Sequence, residues 1–204
     1  MNVKDKAWFP IIYMFMVTLF FSAIIIIFGS FTRKRVEDNQ RIAFERAVLE
    51  ALPIDISETI SPSEIHDIYL ETVKDSTATT GGALRYMKGD SLIAYALPLG
   101  GPGFWAPIKG VIGIAADKKT VTGIAFYEQN ETPGLGGEIV KPGFRDQFDG
   151  KQLSNKEISL EIRMASAELD ESSVHAITGA TQTSTRLGRF MNEQLQAWQA
   201  TVEE

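Results

Sequence analysis

Between Ala7 and Phe31 the chain carries no charged side chain, and the centre of this run, Ile11 to Phe28, reads IIYMFMVTLFFSAIIIIF. An α-helix rises about 1.5 Å per residue, so roughly 20 such residues cross a hydrocarbon layer of about 30 Å. Trp8 and Tyr13 suit one membrane interface, and Arg33-Lys34-Arg35 stops the span at the other. A cleaved signal peptide is the competing reading. Its apolar region is normally shorter and leads to a small-x-small cleavage site, whereas here Phe28-Gly29-Ser30-Phe31 runs straight into three basic residues. The expectation is a retained single-span anchor over residues 9–31, with an N-terminal tail at 1–8, a helical connector at 32–80 and a C-terminal domain at 81–204.

Composition removes several classes of function. The 204 residues suffice for one compact domain besides the anchor. A net charge of -6 argues against nucleic-acid binding, which needs clustered Lys and Arg. The absence of cysteine excludes disulfides, thiolate nucleophiles, Cys-ligated zinc and Cys-ligated iron–sulfur clusters. With only His66 and His175, a His-rich metal centre has too few ligands, so no metal site is expected.

Beyond the anchor, Phe44, Ala47, Val48, Ala51 and Leu52 fall on one helical face that stops at Pro53. Ser61-Pro62-Ser63-Glu64 has the form of a capping box with proline at the first helical position. Thr77 to Gly82 reads as a polar loop. Leu84–Met87 and Leu92–Leu97 flank the turn Lys88-Gly89-Asp90. Ile108–Ala116 and Thr120–Tyr127 flank Asp117-Lys118-Lys119, so two hairpins are expected. Ile158–Met164 alternates as a further strand, and Leu187, Phe190, Met191, Leu195 and Trp198 mark a final helix from about Ser184 to Ala200. Helices, then strands, then a helix give an α+β fold with an antiparallel sheet and flanking helices.

Three segments are rich in small and turn-forming residues: Gly100-Gly101-Pro102-Gly103-Phe104-Trp105-Ala106-Pro107, Glu131-Thr132-Pro133-Gly134-Leu135-Gly136-Gly137, and Thr178-Gly179-Ala180-Thr181. Singly, each is most simply a turn. The third leads into the last helix, where free N–H groups and the positive end of the helix dipole stabilise a phosphate without any basic side chain. Gly179 and Ala180 let a bulky group approach the backbone, and Thr181 presents a hydroxyl there, although Thr is also an ordinary N-cap. The chain has no Gly-Lys-Ser/Thr ending of a phosphate-binding loop and no G-x-S-x-G nucleophile elbow. No catalytic side chain is expected.

Taken together and in order, these segments resemble the FMN-binding subunits of ion-translocating redox complexes: the C subunit of the Na+-translocating NADH:quinone reductase and the G subunit of the Rnf electron transport complex. Tyr127-Glu128-Gln129-Asn130-Glu131-Thr132-Pro133-Gly134-Leu135-Gly136-Gly137-Glu138 is similar to the family's flavin-ring loop, and Thr178-Gly179-Ala180-Thr181-Gln182-Thr183-Ser184 to its flavinylation motif. The resemblance implies that 81–204 is an FMN-binding domain with FMN joined through its phosphate to the Thr181 oxygen by a separate flavin transferase. It places Glu131, Thr132, Leu135 and Gly136 near the isoalloxazine ring, with Trp105 a neighbour by the same analogy, and Thr178, Gly179 and Ala180 on the phosphate side. One position departs from the family pattern: His175 stands six residues before the acceptor, where the pattern has an acidic residue.

The resemblance further implies an electron-transfer subunit of a NADH:quinone or ferredoxin:NAD oxidoreductase, working with other membrane subunits in a bacterial inner membrane and not catalytic alone. Its soluble domain would lie on the extracytoplasmic side. The basic residues by themselves, Lys4 and Lys6 against Arg33, Lys34 and Arg35, weakly favour the opposite orientation. The alternatives are a stand-alone membrane-tethered extracytoplasmic flavoprotein, and an anchored binding or scaffold module in which all three segments are only turns.

Overall fold

The computed structural model describes residues 8–57, 59–154 and 158–202. Residues 1–7, including Lys4 and Lys6 and nearly all of the expected tail at 1–8, lie outside the described residues. The chain divides into two compact units, Met1–Arg41 and Ile42–Glu204.

Helix α1 runs from Trp8 to Ala51 without a break. The sequence reading separated an anchor at 9–31 from a later helix around Phe44. The two are continuous because no Gly or Pro occurs between Phe31 and Ala51 to interrupt the hydrogen-bond ladder. Among the described residues, α1 alone is long and apolar enough to cross a membrane. Its large apolar side chains are exposed, Ile25 and Ile26 at 70% and Phe31 at 79%. An apolar surface of that extent suits lipid and not water. The hydroxyls of Ser30 and Thr32 donate to Ile27 O (2.7 Å) and Phe28 O (3.2 Å), so these polar groups are satisfied within the helix itself.

The second unit is built on a five-stranded antiparallel sheet: β1 (Val73–Lys74), β2 (Leu84–Lys88), β3 (Ser91–Pro102), β4 (Pro107–Ala115) and β5 (Val121–Glu128), each beside the next in chain order. Both hairpins lie where the turn residues place them. In the second, Asp117 Oδ1 accepts from Lys119 N and Thr120 N, each at 2.9 Å, which fixes the turn. Strand β1 had no counterpart in the sequence reading: two residues directly after helix α2 (Pro62–Thr72) carry too little alternation to announce a strand. It puts part of the expected connector 32–80 into the sheet, pairing with β2 at Val73–Tyr86.

Alternation along β3 separates two cores. Tyr95, Leu97 and Leu99 face Ile112, Ile114 and Ile124 and the apolar stripe of α4 (Thr181–Val202), which carries Leu187, Phe190, Met191, Leu195 and Trp198. Ala94 and Ala96 face the other way with Val111 and Ala125, against Val48, Leu49 and Ala51 at the end of α1 and Ile65 of α2. The side chains on this second face are small because the helix end sits almost on the strands. Thr122 Oγ1 donates to Ala51 O at 2.8 Å and so closes the end of α1. Helix α2 starts as its sequence indicates: Ser61 Oγ accepts from Glu64 N, and Glu64 Oε2 accepts from Ser61 N.

After β5 the chain makes a 3-10 turn at Gly136–Val140, the short helix α3 (Pro142–Arg145) and a second 3-10 turn at Asp146–Phe148. The expected strand at Ile158–Met164 shrinks to β6 (Glu161–Arg163), which pairs in parallel with β7 (Ser173–His175). Its ends are claimed elsewhere. Asn192 of α4 takes both backbone groups of Leu160, at 2.9 and 2.7 Å, and Met164 is 73% exposed. Helix α4 starts at Thr181, three residues before the expected Ser184. The whole is the α+β arrangement expected, an apolar N-terminal helix followed by an antiparallel sheet with flanking helices.

Candidate functional site

The three small-residue segments meet at one corner of the second unit. The first forms the tip between β3 and β4, where Gly103 N donates to Ala106 O at 2.9 Å and turns Phe104 and Trp105 outward. The second is the loop after β5, closed by Leu135 N and Gly137 N donating to Thr132 O (3.1 and 2.9 Å). The third is the entry to α4. Gly179 has φ +79, a left-handed conformation that reverses the chain before the helix and that L side chains rarely adopt.

Glu131 ties the corner together. It is buried, at 6% exposure. Its Oε1 accepts from Phe104 N (2.8 Å) and Trp105 N (3.0 Å), and its Oε2 accepts from Thr183 Oγ1 (2.6 Å). Burial pushes the carboxyl pKa up, but the hydrogen bonds from Thr183 and from the N–H groups of Trp105, Phe104 and Ala106 outweigh it and hold the group below the ordinary range. The glycines on either side are required by this clasp. A methyl on Gly103 would lie 2.5 Å from Glu131 Oε1, and one on Gly136 would lie 2.8 Å from Glu131 Oε2. Trp105 Nε1 donates to Thr132 Oγ1 (3.1 Å), and Arg186 donates to Gly103 O (3.2 Å) with its guanidinium 5.9 Å from the Phe104 ring.

These contacts enclose a cavity of about 330 Å³. Phe104 and Trp105, packed edge to face at 4.8 Å, and Leu135 form an apolar side. Gly179, Ala180, Thr181, Gln182 and Thr183 form the opposite side. The first intrahelical bond of α4 runs from Ser184 N to Ala180 O, so the N–H groups of Thr181, Gln182 and Thr183 have no acceptor within the helix. Among the described residues no Lys or Arg lines the cavity, so an anion there would rest on the helix N-terminus and on hydroxyls. Thr181 is exposed as the first helical residue, with its hydroxyl beside that end.

Of the residues singled out from sequence, Trp105, Glu131, Thr132, Leu135, Gly136, Gly179, Ala180 and Thr181 all line this cavity, and Thr178 does not. Phe104, Gln182 and Thr183 line it without having been singled out. Their signals were present: Phe104 adjoins Trp105, and Thr183 is a hydroxyl residue in the first turn of a helix. His175 lies elsewhere. It is held in β7 by its N–H on Gln147 Oε1 (2.8 Å) and by Nε2 on Ala167 O (3.0 Å). Among the described residues no group of three or more His, Asp or Glu is placed to hold a metal ion.

A planar ring joined to a phosphate fits this donor set. The aromatic and aliphatic wall would suit the ring and the α4 N-terminus the phosphate, and the volume lies in the range of small-ligand sites, about 300–1,000 Å³.

Comparison with known proteins points the same way. Residues 103–196, which contain all the lining residues, match the FMN-binding domain family. The C subunit of the Na(+)-translocating NADH-quinone reductase of Vibrio vulnificus is 39% identical over 110 residues, covering 52% of this chain and 43% of that protein. Its counterpart in Haemophilus ducreyi is 42% identical over 90 residues, covering 43% and 35%. The match thus spans less than half the length of these relatives. Among solved structures, the C subunit of the reductase from Parabacteroides distasonis superposes with a TM-score of 0.65 at 25% identity, covering 84% of this chain and 96% of that one. Shewanella oneidensis NqrC gives 0.67 at 20% identity over 83% and 100%, a likeness of fold.

Proposed function

We propose that the chain is a member of the FMN-binding subunit family that includes the C subunit of Na+-translocating NADH-quinone reductases, and that it serves as a membrane-anchored electron-transfer subunit of such a complex with FMN held covalently on Thr181; the FMN-binding domain matched at residues 103–196 and the likeness to those C subunits support this reading. The observation that carries this reading is the convergence of three separate loops on one cavity with Thr181 at its helix-terminal end. Bound there, FMN supplies the electron chemistry.

The chain's own residues have the remaining tasks. The N–H groups of Thr181, Gln182 and Thr183 stabilise the phosphate, which in this reading is esterified to the Thr181 oxygen by a separate flavin transferase. Trp105 and Leu135, with Thr132 and Gly136, bound the ring. Gly179 and Ala180 keep the approach to the phosphate open, and Thr178 supports that turn from outside the cavity. No side chain needs to act as a general base. The apolar part of α1, the expected anchor at 9–31, holds the domain at the bacterial inner membrane among the other subunits, on the extracytoplasmic side as the resemblance implies.

The reading is tested by ultraviolet illumination of the full-length band on a denaturing gel after co-expression with an active flavin transferase. The expected result is a fluorescent band that vanishes in Thr181→Ala. A dark wild-type band sinks the covalent reading. Co-purification with multi-span partners separates a member of a complex from a stand-alone carrier.

A further inference from the structure

We propose that Glu131 is a positioning residue: with Thr183 it links the first turn of α4 to the Phe104-Trp105 tip, so that the acceptor end and the ring end of the cavity form one unit before any flavin arrives. The assignment of this role toward the flavin rests on the reading above, whereas the link is a property of the chain alone.

Both carboxylate oxygens of Glu131 are engaged. Oε1 accepts from two consecutive backbone N–H groups, and Oε2 accepts the Thr183 hydroxyl at 2.6 Å. Glu131 therefore holds the protein's own loops together while also lining the cavity. The three groups it joins are far apart in the chain: Glu131 and Thr183 are 52 positions apart, and Phe104 and Glu131 are 27 positions apart. Among the described residues, neither the tip nor the helix end has another buried carboxylate joining it to the other. The tip has its own turn bond, the Arg186 contact and the indole bond to Thr132, but none of these reaches Thr181 to Thr183 through a buried charge. A buried carboxylate with its donors in place is stiff, because leaving any of them unpaired carries the full desolvation cost. Loss of the Thr183 hydroxyl therefore acts on amides that Thr183 never touches.

That remote effect is the test. Hydrogen exchange is followed in the full-length chain in detergent micelles, without flavin, at the Phe104 and Trp105 amides relative to the buried β4 amides of Ile112 and Ile114. Thr183→Val removes the hydroxyl at nearly constant volume, and Thr183→Ser keeps it. The expected result is a ratio about tenfold or more higher in Thr183→Val, as for loss of one charge-assisted bond, and unchanged in Thr183→Ser. Glu131→Gln should raise the ratio as well, and adding Thr183→Val to it should raise it little further. Under limiting transferase, the fraction of chain carrying the added mass of FMN should fall in Thr183→Val and recover in Thr183→Ser. A ratio that stays flat or falls in Thr183→Val overturns the link, even if the variant is globally less stable, since the β4 amides report that separately. A dark wild-type gel band would overturn the flavin reading instead and leave the exchange result standing.

Discussion

Replacing Gly113 with alanine tests the packing that seats α1 on the sheet. Gly113 pairs with Gly123 across β4 and β5, directly under the end of α1. A methyl group there would penetrate Ala51 O and Thr122 Oγ1 and lie only 2.8 Å from Ala51 C. Ordinary carbon contacts are about 3.5–4.0 Å, so relief requires the helix end to lift by roughly an ångström. Overpacking of a tight core costs about 1–3 kcal/mol. The lift also breaks the Thr122–Ala51 hydrogen bond, worth about 1 kcal/mol more. A total of about 2–4 kcal/mol corresponds to a Tm lower by roughly 5–15 °C in a domain of this size. The assay is thermal unfolding by circular dichroism of the full chain in micelles. Gly143→Ala is the control, because a methyl there meets nothing within 4 Å. A Gly113→Ala protein that melts with the wild type would refute the close seating of α1.

Two further outcomes follow from the site and its surroundings. Asp170 has its pKa lowered to about 2 by the Ser173 side chain, the Ser172 N–H and Arg163. Its folded value lies below the unfolded one of about 3.9, so its contribution is complete above about pH 4 and disappears as pH falls toward 2. Protection of the β6–β7 amides, taken as exchange relative to the intrinsic rate at each pH, should fall over that window in wild type and lose this pH dependence in Asp170→Asn; identical protection profiles would contradict the assignment. Trp105 is 68% exposed, so Trp105→Ala should move Tm by no more than about 2 °C. The same change should alter the visible absorption band of the flavin-loaded chain, and an unaltered band would place the indole away from the ring.

Local chemistry made much of the fold legible. Lys88-Gly89-Asp90 and Asp117-Lys118-Lys119 locate both hairpins, and Ser61 with Glu64 locates α2, because a turn or cap is decided by residues within three or four positions. What depends on distant partners was not legible. The parallel pairing of β6 with β7, the shortening of β6 by Asn192, and the recruitment of Val73–Lys74 into the sheet are all set by elements remote in sequence. The start of α4 is hidden in the sequence because Ala180 is a weak N-cap. The same division holds at the site. Each loop is visible as a Gly-rich segment, but their meeting is not, and nothing in the local sequence distinguishes Glu131 as a buried link from the half-buried Glu128. That difference arises only when Thr183 and the Phe104-Trp105 tip arrive from opposite ends of the domain.

The proposed function stands or falls with the covalent acceptor. Intact mass spectrometry of the full-length chain, co-expressed with an active flavin transferase, tests it most directly against Thr181→Ala and Thr181→Ser. Wild-type chain should be heavier by FMN less one water, with the added mass mapping to the peptide that contains Thr181, absent in Thr181→Ala and partly retained in Thr181→Ser. Wild-type chain without that mass, or the same mass persisting in Thr181→Ala, would contradict it.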